Sequence, residues 1–286
     1  PPQMVPSSPS PLPFIAACMA EHRLEGPVIG VAMDGSGLGD DGTIWGGEFL
    51  VADYRQCQRR GHLQTLRLPG GEGAIRHPVR MALGMLHAEF GAEADRIGSR
   101  WLPALQDADR QVLLRMLESG TQAPVCSSAG RWFDAVSALL GLCDTISYEG
   151  QAAVRLQAQA AAGASREYAF ALDMQNDCIL LSFRPMIRKM LEDLHASVPS
   201  ADIARGFHET MAAGIAAVCA RLAESGPTDK VVLSGGVFQN ELLLLLVTDA
   251  LSRRGLRAYS HREVPPNDGG IALGQAAVAL ATMEAG

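Results

Sequence analysis

Three short segments of the chain combine glycine with a polar side chain that can bind a phosphate group or a metal ion. They are Asp-Gly-Ser-Gly at 34–37, Ser-Gly-Gly at 234–236 and Asp-Gly-Gly at 268–270. Because glycine has no side chain, a phosphate group can approach its backbone closely and accept hydrogen bonds from N–H groups. A carboxylate beside such a turn can also reach Mg²⁺ or a transition-metal ion. The three turns together predict a cleft that binds phosphate, with Asp34 and Asp268 as candidate metal ligands.

Each turn also has a purely structural interpretation. Residues 234–236 follow an apolar run and precede a helical pattern, as a tight strand-to-helix turn would. Asp268 stands where the N-cap of the last helix is expected, and capping alone would explain an acid there. The chain has no P-loop motif, and the glycines at 35, 37 and 39 have the wrong spacing for a dinucleotide-binding turn. The sequence therefore disfavours both of those classes of nucleotide-binding protein.

The spacing of apolar residues predicts an α/β fold that places these turns at strand ends. An apolar run at 28–33 and an alternating run at 43–52 predict a β-hairpin whose tip holds the first glycine turn. Residues 78–162 have the periodicity of helices. The other expected elements are a helix at 15–22, a strand at 168–172, helices at 183–195 and 202–224, a strand at 230–233, a helix at 238–254 and a short strand near 258. A hairpin, then helices, then a strand–helix–strand unit is the order of an α/β protein.

Composition and charge exclude several classes of function. The 286 residues carry 24 Lys and Arg against 31 Asp and Glu, and the basic residues are scattered, so direct nucleic-acid binding is not expected. The six cysteines have neither disulfide-framework nor zinc-ligand spacing and indicate reduced thiols in a cytoplasmic protein. The longest apolar run, 242–247, is far shorter than the roughly 20 residues of a membrane-spanning helix. The first fourteen residues lack the pattern of a signal peptide and indicate an irregular leader.

No histidine is assigned a catalytic role. His208 lies in the middle of a predicted helix and is expected to be structural, whereas His261 is expected to be solvent-exposed.

Six runs carry a resemblance that extends in order over residues 15–280. They closely resemble the C-terminal part of the HypF carbamoyltransferases and, more distantly, tRNA threonylcarbamoyl transferases and antibiotic O-carbamoyltransferases. The runs are DGSGLGDDGTIWGGEF at 34–49, LPGGEGAIRHPVRMAL at 68–83, GRWFDAVSALLGL at 130–142, SYEGQAA at 147–153, LSGGVFQN at 233–240 and PPNDGGIALGQA at 265–276.

This resemblance implies an actin-like (ASKHA) α/β fold, in which an adenylate lies between two RNase-H-like lobes. It implies that residues 1–26 hold an irregular leader and a remnant helix of a partial first lobe. Residues 27–262 would form the second RNase-H-like lobe, with a large helical insertion at about 78–165. Residues 263–286 would form a C-terminal loop and helix that contact the nucleotide.

The resemblance also implies roles for individual residues. Asp34, as well as Asp268, would bind a divalent metal ion (Zn²⁺, Fe²⁺ or Mg²⁺), and Ser36 stands where the family has Thr. The residues implied to contact ATP or carbamoyl-AMP are Asp34, Gly35, Ser36 and Gly37 in a phosphate loop, Asp134 at the ribose, Glu149 and Gly150 beside the nucleotide, Ser234, Gly235, Gly236 and Asn240 on the adenosine side, and Gly269.

The function implied is carbamoyl transfer from carbamoyl-adenylate to the C-terminal cysteine of HypE, a step in making the cyanide ligand of NiFe hydrogenase. The nucleophile would belong to the partner. Two alternatives stay open: a non-catalytic remnant that binds nucleotide or partner, and threonylcarbamoyl transfer to tRNA. The acidic net charge of −7 speaks against the second alternative.

The chain departs from the family at one place. Family members carry an HHHAH run whose His-x-x-x-His pair binds the metal ion, and here those two positions are Ser10 and Phe14. Any metal would then depend on carboxylates and would bind weakly or be Mg²⁺. If the prolines at 9, 11 and 13 and Ser10 use codons ending in A, a one-base shift gives His-His-His-x-His at this place. The hypothesis is that residues 1–14 are a frameshifted leader, which the encoding DNA decides.

Overall fold

The computed structural model describes residues 11–226 and 228–283. Their strands are β1 (Val28–Leu38), β2 (Ile44–Ala52), β3 (Cys57–Leu63), β4 (Leu66–Arg67), β5 (Val125–Cys126), β6 (Ala171–Gln175), β7 (Cys178–Ser182), β8 (Lys230–Ser234) and β9 (Arg257–Ser260). Their α-helices are α1 (Leu12–Glu21), α2 (Glu72–Arg76), α3 (Pro78–Phe90), α4 (Ala94–Trp101), α5 (Asp107–Ser119), α6 (Ala129–Leu139), α7 (Gln151–Ala160), α8 (Arg184–His195), α9 (Ser200–Ser225), α10 (Glu241–Ser252) and α11 (Ile271–Met283).

The strands form one sheet whose central path runs β6-β7-β3-β2-β1-β8-β9. Strands β1, β2 and β3 are antiparallel neighbours, whereas β8 is parallel to β1 and β9 is parallel to β8. Three antiparallel strands followed by two parallel ones are the arrangement of an RNase-H-like lobe, so the predicted fold class is confirmed. The β6–β7 hairpin extends this lobe, because β7 pairs with the outer edge of β3.

Hydrophobic side chains bury both faces of the sheet, because the apolar residues of β1 point alternately to the two sides. On one face Ile29, Val31 and Met33 join a large core under the helices that include α3, α6 and α9. On the other face Val28 and Ala32 join a smaller core with residues of α1. Helix α11 packs along α1 on this second side. The chain from β1 is thus fixed on both faces as far as the first glycine turn.

The predicted hairpin is confirmed, but β1 continues through the glycine turn to Leu38, so the prediction that this turn forms the hairpin tip is wrong. The helices expected at 183–195 and 202–224 and the strands expected at 230–233 and near 258 are also present within a few residues. The strand expected at 168–172 begins only at Ala171, and its partner β7 was not predicted. Strand β3 was not predicted either, because its sequence CQRRGHL is too polar for the apolar alternation of a strand.

Within the described residues, no helix is both long and apolar enough to cross a membrane. All six cysteines are free thiols. Most of the leader predicted at 1–14 lies outside the described residues, which begin at Pro11. The predicted division of the chain at 26 and 262 stays a prediction.

Candidate functional site

The first glycine turn is a bulge in the central strand. Met33 pairs with Gly47 and Gly37 with Trp45, so β1 has two extra residues between these pairs. A bulge leaves backbone groups without ladder partners and turns side chains out of the sheet. Here it frees Asp34 and Gly35 from the ladder at the point where β1 meets the parallel strand β8.

The N-terminus of helix α6 packs against this bulge. The hydroxyl of Ser128, which is the N-cap of α6, lies 2.8 Å from the carbonyl oxygen of Asp34 and 2.6 Å from that of Gly35, as donor to one or both. A Cβ on Gly130 would lie 2.9 Å from the Cα of Gly35, so only glycine permits this contact. The positive N-terminal end of α6 therefore lies directly against the bulge, an arrangement that favours bound anions.

The second glycine turn follows β8 and lies beside the first. Gly235 has φ +101°, and a Cβ there would lie 2.2 Å from the carbonyl oxygen of Met33. Its N–H donates to the carbonyl oxygen of Pro266 at 2.9 Å. The next residue, Gly236, contributes a hydrogen bond to the carboxylate of Asp34, as does the N–H of Gly35 at 2.7 Å. The two turns are thus linked through the carboxylate of Asp34.

A buried pair orders the start of the helix that follows this turn. Asn240 is the N-cap of α10 and accepts from the N–H of Leu243 at 2.9 Å. Its amide donates to Nε2 of His208 at 3.1 Å, while Nδ1 of His208 donates to the carbonyl oxygen of Ala204 at 2.8 Å. Burial lowers the pKa of His208 to about 4, so the ring is neutral near pH 7. His208 is therefore structural, as predicted.

The third glycine turn is positioned from α1. The carboxylate of Glu21 accepts from the N–H groups of Arg262 at 2.8 Å and Val264 at 3.0 Å. It also lies 3.3 Å from Nδ1 of His261, whose Nε2 is 2.7 Å from the hydroxyl of Ser234. The side chain of His261 is only 3% exposed, so the expectation that it is solvent-exposed is wrong. The chain fold, not local polarity, buries this ring between α1 and β8.

The turns enclose one cavity of about 370 Å³. It lies beside the bulge of β1 and the end of β8, where α/β proteins bind ligands. The N-terminal residues of α6 and α7 form its opposite wall. Its lining residues are Asp34, Gly35, Gly130, Arg131, Asp134, Glu149, Gly150, Ala153, Gly236, Val237, Gln239, Asn267, Asp268 and Gly269.

Burial changes the ionisation of the acids in this cavity. Burial raises the pKa of Asp34, the N–H of Gly35 opposes the rise, and the negative charge of Asp268 adds to it. Burial also raises the pKa of Asp134 to about 6, against the opposite effect of Arg131. Both carboxylates are therefore more easily protonated than in water.

The structure brings together most, but not all, of the residues predicted to bind nucleotide. Asp34, Gly35, Asp134, Glu149, Gly150, Gly236, Asp268 and Gly269 line the cavity. Ser36 and Gly37 lie further along β1 and are exposed, and Ser234, Gly235 and Asn240 are buried or engaged in the contacts above. These five residues do not line the cavity in the described part of the chain, and a ligand role for them stays a prediction.

Several lining residues were not predicted from the sequence. Arg131 stands in the run GRWFDAVSALLGL that carries the resemblance, next to a glycine and three residues before Asp134. That one-turn spacing places both side chains on one face of α6 and was a usable signal. Asn267, not Asp268, is the N-cap of the short 3₁₀ turn Asp268–Gly270 that leads into α11. Its side chain accepts a hydrogen bond from the N–H of Gly269 at 3.1 Å. The capping interpretation of Asp268 is therefore wrong.

The candidate metal ligands fit one kind of ion. Asp34 and Asp268 both line the cavity and act on each other electrostatically. In residues 11–226 and 228–283 no group of three or more His, Cys, Asp or Glu side chains is arranged to hold a metal ion. Two carboxylates fit Mg²⁺, which retains waters and takes phosphate oxygens, but not a zinc or iron site. Of the two positions where the resemblance implies a metal-binding histidine, Phe14 lies on α1 and Ser10 lies outside the described residues.

Comparisons with known proteins identify the family of the chain that forms this cavity. Residues 30–275 match the family described as the carbamoyltransferase Kae1-like domain, second subdomain. Carbamoyltransferase HypF2 of Cupriavidus necator is 39% identical over 93% of this chain and 35% of its own length. A HypF homolog of the same organism is 40% identical over 93% of this chain and 68% of its own length.

Solved structures agree. A full-length HypF in a phosphate- and nucleotide-bound form superposes with a TM-score of 0.87 and 35% identity, over 95% of this chain and 42% of that one. The chain spans about a third of the length of its relative HypF2. Both the sequence match and the superposition extend over the strands and helices that form the cavity, and the chain therefore belongs to the HypF carbamoyltransferase family, whose Kae1-like domain it shares.

Proposed function

We propose that the cavity binds carbamoyl-adenylate and that the chain transfers its carbamoyl group to the C-terminal cysteine of a HypE-like protein. The observation that carries the proposal is the meeting of the glycine bulge in β1, the glycine turn after β8 and the N-terminus of α6 around one cavity of about 370 Å³. Pockets of roughly 300–1,000 Å³ are typical of small-molecule sites. The nucleotide-bound state of the full-length HypF relative supports the choice of ligand.

The residues of the cavity suit the parts of an adenylate. Gly35 permits close approach of a phosphate to the backbone, and Gly130 lets the N-terminus of α6 lie against the same bulge. Asp134 is 4% exposed, and its Oδ2 has no hydrogen-bond partner among the described residues. A buried acceptor of this kind is suited to the hydroxyl groups of a ribose. Gly150, with φ +76°, turns the chain beside it at the start of α7.

The proposed step is a substitution at the carbamoyl carbon. The thiolate of the partner attacks that carbon, a C–S bond forms, and the bond to the phosphate oxygen breaks. AMP leaves with the electron pair, and the thiol proton passes to solvent. The contribution of the chain is to hold the adenylate in one orientation for attack, which lowers the entropic part of the barrier.

A divalent cation bound with the nucleotide would offset the charge of its phosphate and polarise the acyl group. Asp34 and Asp268 are the residues of this chain that would hold it.

A second candidate function is nucleotide binding without transfer. It is favoured by Phe14, which stands on α1 where the family has a metal-binding histidine. An aromatic ring supplies no ligand to the ion.

A transfer assay separates the two candidates. The chain is mixed with synthetic carbamoyl-adenylate and a HypE-like protein, and the intact mass of the partner is measured. We expect one carbamoyl group per partner molecule, none on a partner whose C-terminal cysteine is serine, and little transfer by Asp34→Ala. Asp173→Ala, an exposed acid on the edge strand β6, is the matched control. Nucleotide binding with no mass gain would favour the non-catalytic candidate, and absence of nucleotide binding would contradict both.

A further inference from the structure

The guanidinium of Arg131 is buried in the wall of the cavity, and its Nε is unpaired among the described residues. The residue is 7% exposed and lines the cavity. It forms an ion pair with Asp134, whose Oδ2 lies 2.8 Å from Nη2. That contact is not aligned as a hydrogen bond, since Oδ2 of Asp134 and Nε of Arg131 have no hydrogen-bond partner among the described residues.

Burying polar atoms without hydrogen-bond partners costs free energy unless a ligand supplies those partners. Buried polar groups nearly always have hydrogen-bond partners, and a buried ion pair is favourable only when its remaining donors and acceptors are also satisfied. A guanidinium carries five N–H donors in a planar fork that matches phosphate or carboxylate oxygens. The unpaired Nε of Arg131, at the wall of the cavity, therefore indicates an anionic ligand.

The position of Arg131 indicates which part of a ligand it would contact. It lies in the first turn of α6, and its backbone N–H donates to the N-cap Ser128 at 3.3 Å. A Cβ added to Gly35 would be 4.0 Å from Nη2 of Arg131. An anion at this place would meet the guanidinium, the bulge of β1 and the positive end of a helix together.

The rest of the cavity limits how much negative charge it can take. Four carboxylates line it, those of Asp34, Asp134, Glu149 and Asp268, and Arg131 is the single basic residue among its described lining residues. Each further phosphate group of a ligand would meet like charges at short distance, and like charges repel strongly in a partly buried site. The guanidinium of Arg131, which already pairs with Asp134, can offset at most one phosphate.

We propose that Arg131 binds the phosphate of a nucleoside monophosphate or acyl-adenylate, and that without divalent cations the cavity selects such ligands over nucleoside triphosphates. This inference rests on the proposed function, because it assigns the phosphate subsite of the same cavity. It adds a specificity-determining residue and a charge limit on the ligand.

The test is calorimetric titration of the whole chain with adenosine, AMP and ATP in EDTA. We expect AMP to bind at least about tenfold more tightly than ATP, since repulsion at close range amounts to at least 1.4 kcal/mol. Arg131→Gln should weaken AMP about 10- to 100-fold, the usual range for a hydrogen bond to a charged group, and should leave adenosine affinity unchanged. Arg131→Lys keeps the positive charge but not the planar set of donors. Its affinity for AMP should lie between those of wild type and Arg131→Gln.

Controls keep the outcomes separate. Arg115→Gln changes an exposed arginine on α5 and should leave all affinities unchanged. Adenosine affinity reports whether Arg131→Gln still folds, and Arg131→Lys gives a second reading if it does not. ATP binding as tightly as AMP in EDTA, or equal AMP affinity in wild type and both Arg131 variants, would overturn the inference and leave the nucleotide site intact. Failure of wild type to bind any of the three ligands would instead overturn the proposed function.

Discussion

Two segments bring carboxylates to the cavity, and they are held in different ways. The bulge with Asp34 is part of the central strand and is packed between Gly46, Ser128 and Gly130 of its neighbours. The loop with Asp268 lies outside the sheet and is held by contacts to Glu21 and β8. The first segment therefore belongs to the packed core, whereas the second is held by these hydrogen bonds and by the packing of α11 on α1. We expect the second segment to open separately.

Gly235 contacts both segments, through the carbonyl oxygens of Met33 and Pro266, so its replacement should have the largest effect. In Gly235→Ala the new Cβ would meet the carbonyl oxygen of Met33 at 2.2 Å, with φ at +101°. A strained conformation together with a backbone clash should lower the free energy of unfolding by about 3 kcal/mol or more. Urea unfolding measures this loss.

The matched control is Gly255→Ala, which has φ +73° and nothing within 4 Å of the added Cβ. It should cost only about 1–2 kcal/mol, the price of a left-handed conformation for alanine. Equal losses in the two variants would show that the contact with Met33 does not matter.

Replacing Glu21 should release the Asp268 loop alone. In Glu21→Ala the N–H groups of Arg262 and Val264 lose their acceptor. Hydrogen exchange of these amides should become about 10- to 100-fold faster, since each bond to a charged group contributes roughly 1.5–3 kcal/mol. Exchange in residues 33–37 should not change.

Glu25→Ala, an exposed acid just beyond α1, is the control for that experiment and should leave both segments protected. Loss of protection in the bulge as well as the loop would contradict the separate anchoring of the two segments.

A smaller effect should appear in the pH dependence of the free energy of unfolding, through the buried ring of His208. The pKa of His208 is lowered by burial from 6.5 to about 4, so between these values the unfolded chain binds more protons than the folded chain. Stability should therefore fall as pH decreases from 6.5 towards 4, by up to about 1.4 kcal/mol per pH unit. Asp134 acts in the opposite direction between 3.8 and about 6, because its folded-state pKa is raised.

The variant His208→Gln isolates the histidine contribution. Its free energy of unfolding should change less between pH 7 and pH 5 than that of wild type, while His87→Gln, in the last turn of α3, should behave as wild type. The same pH slope in wild type and His208→Gln would refute the burial of a neutral ring.

The sequence predicts the segment held by the core better than the segment held from α1. Glycine at 35 and 37 after an apolar run is a local pattern, and it locates the turn with Asp34 at the cavity, although the turn is a bulge within β1 and not the predicted hairpin tip. The contact of Glu21 with Val264 joins positions 243 residues apart, and no local pattern indicates it. For the same reason His261 was expected in solvent, although the chain fold buries it.

Strands that lack apolar alternation were also missed. Strand β3 is polar because part of it forms ion pairs, such as that of Arg59 with Glu48 at 2.6 Å. A buried charge of this kind has no periodic signal in the sequence. Arg131 shows a similar limit: its type and spacing were visible, but its buried, unpaired Nε is a property of the packed cavity.

The most direct test of the account is a crystal structure of the chain with AMP bound. The account predicts AMP in the cavity, with its phosphate between Gly35 and the N-terminus of α6 and its ribose beside Asp134. AMP bound elsewhere on the chain, or an empty cavity in crystals grown with saturating AMP, would contradict it.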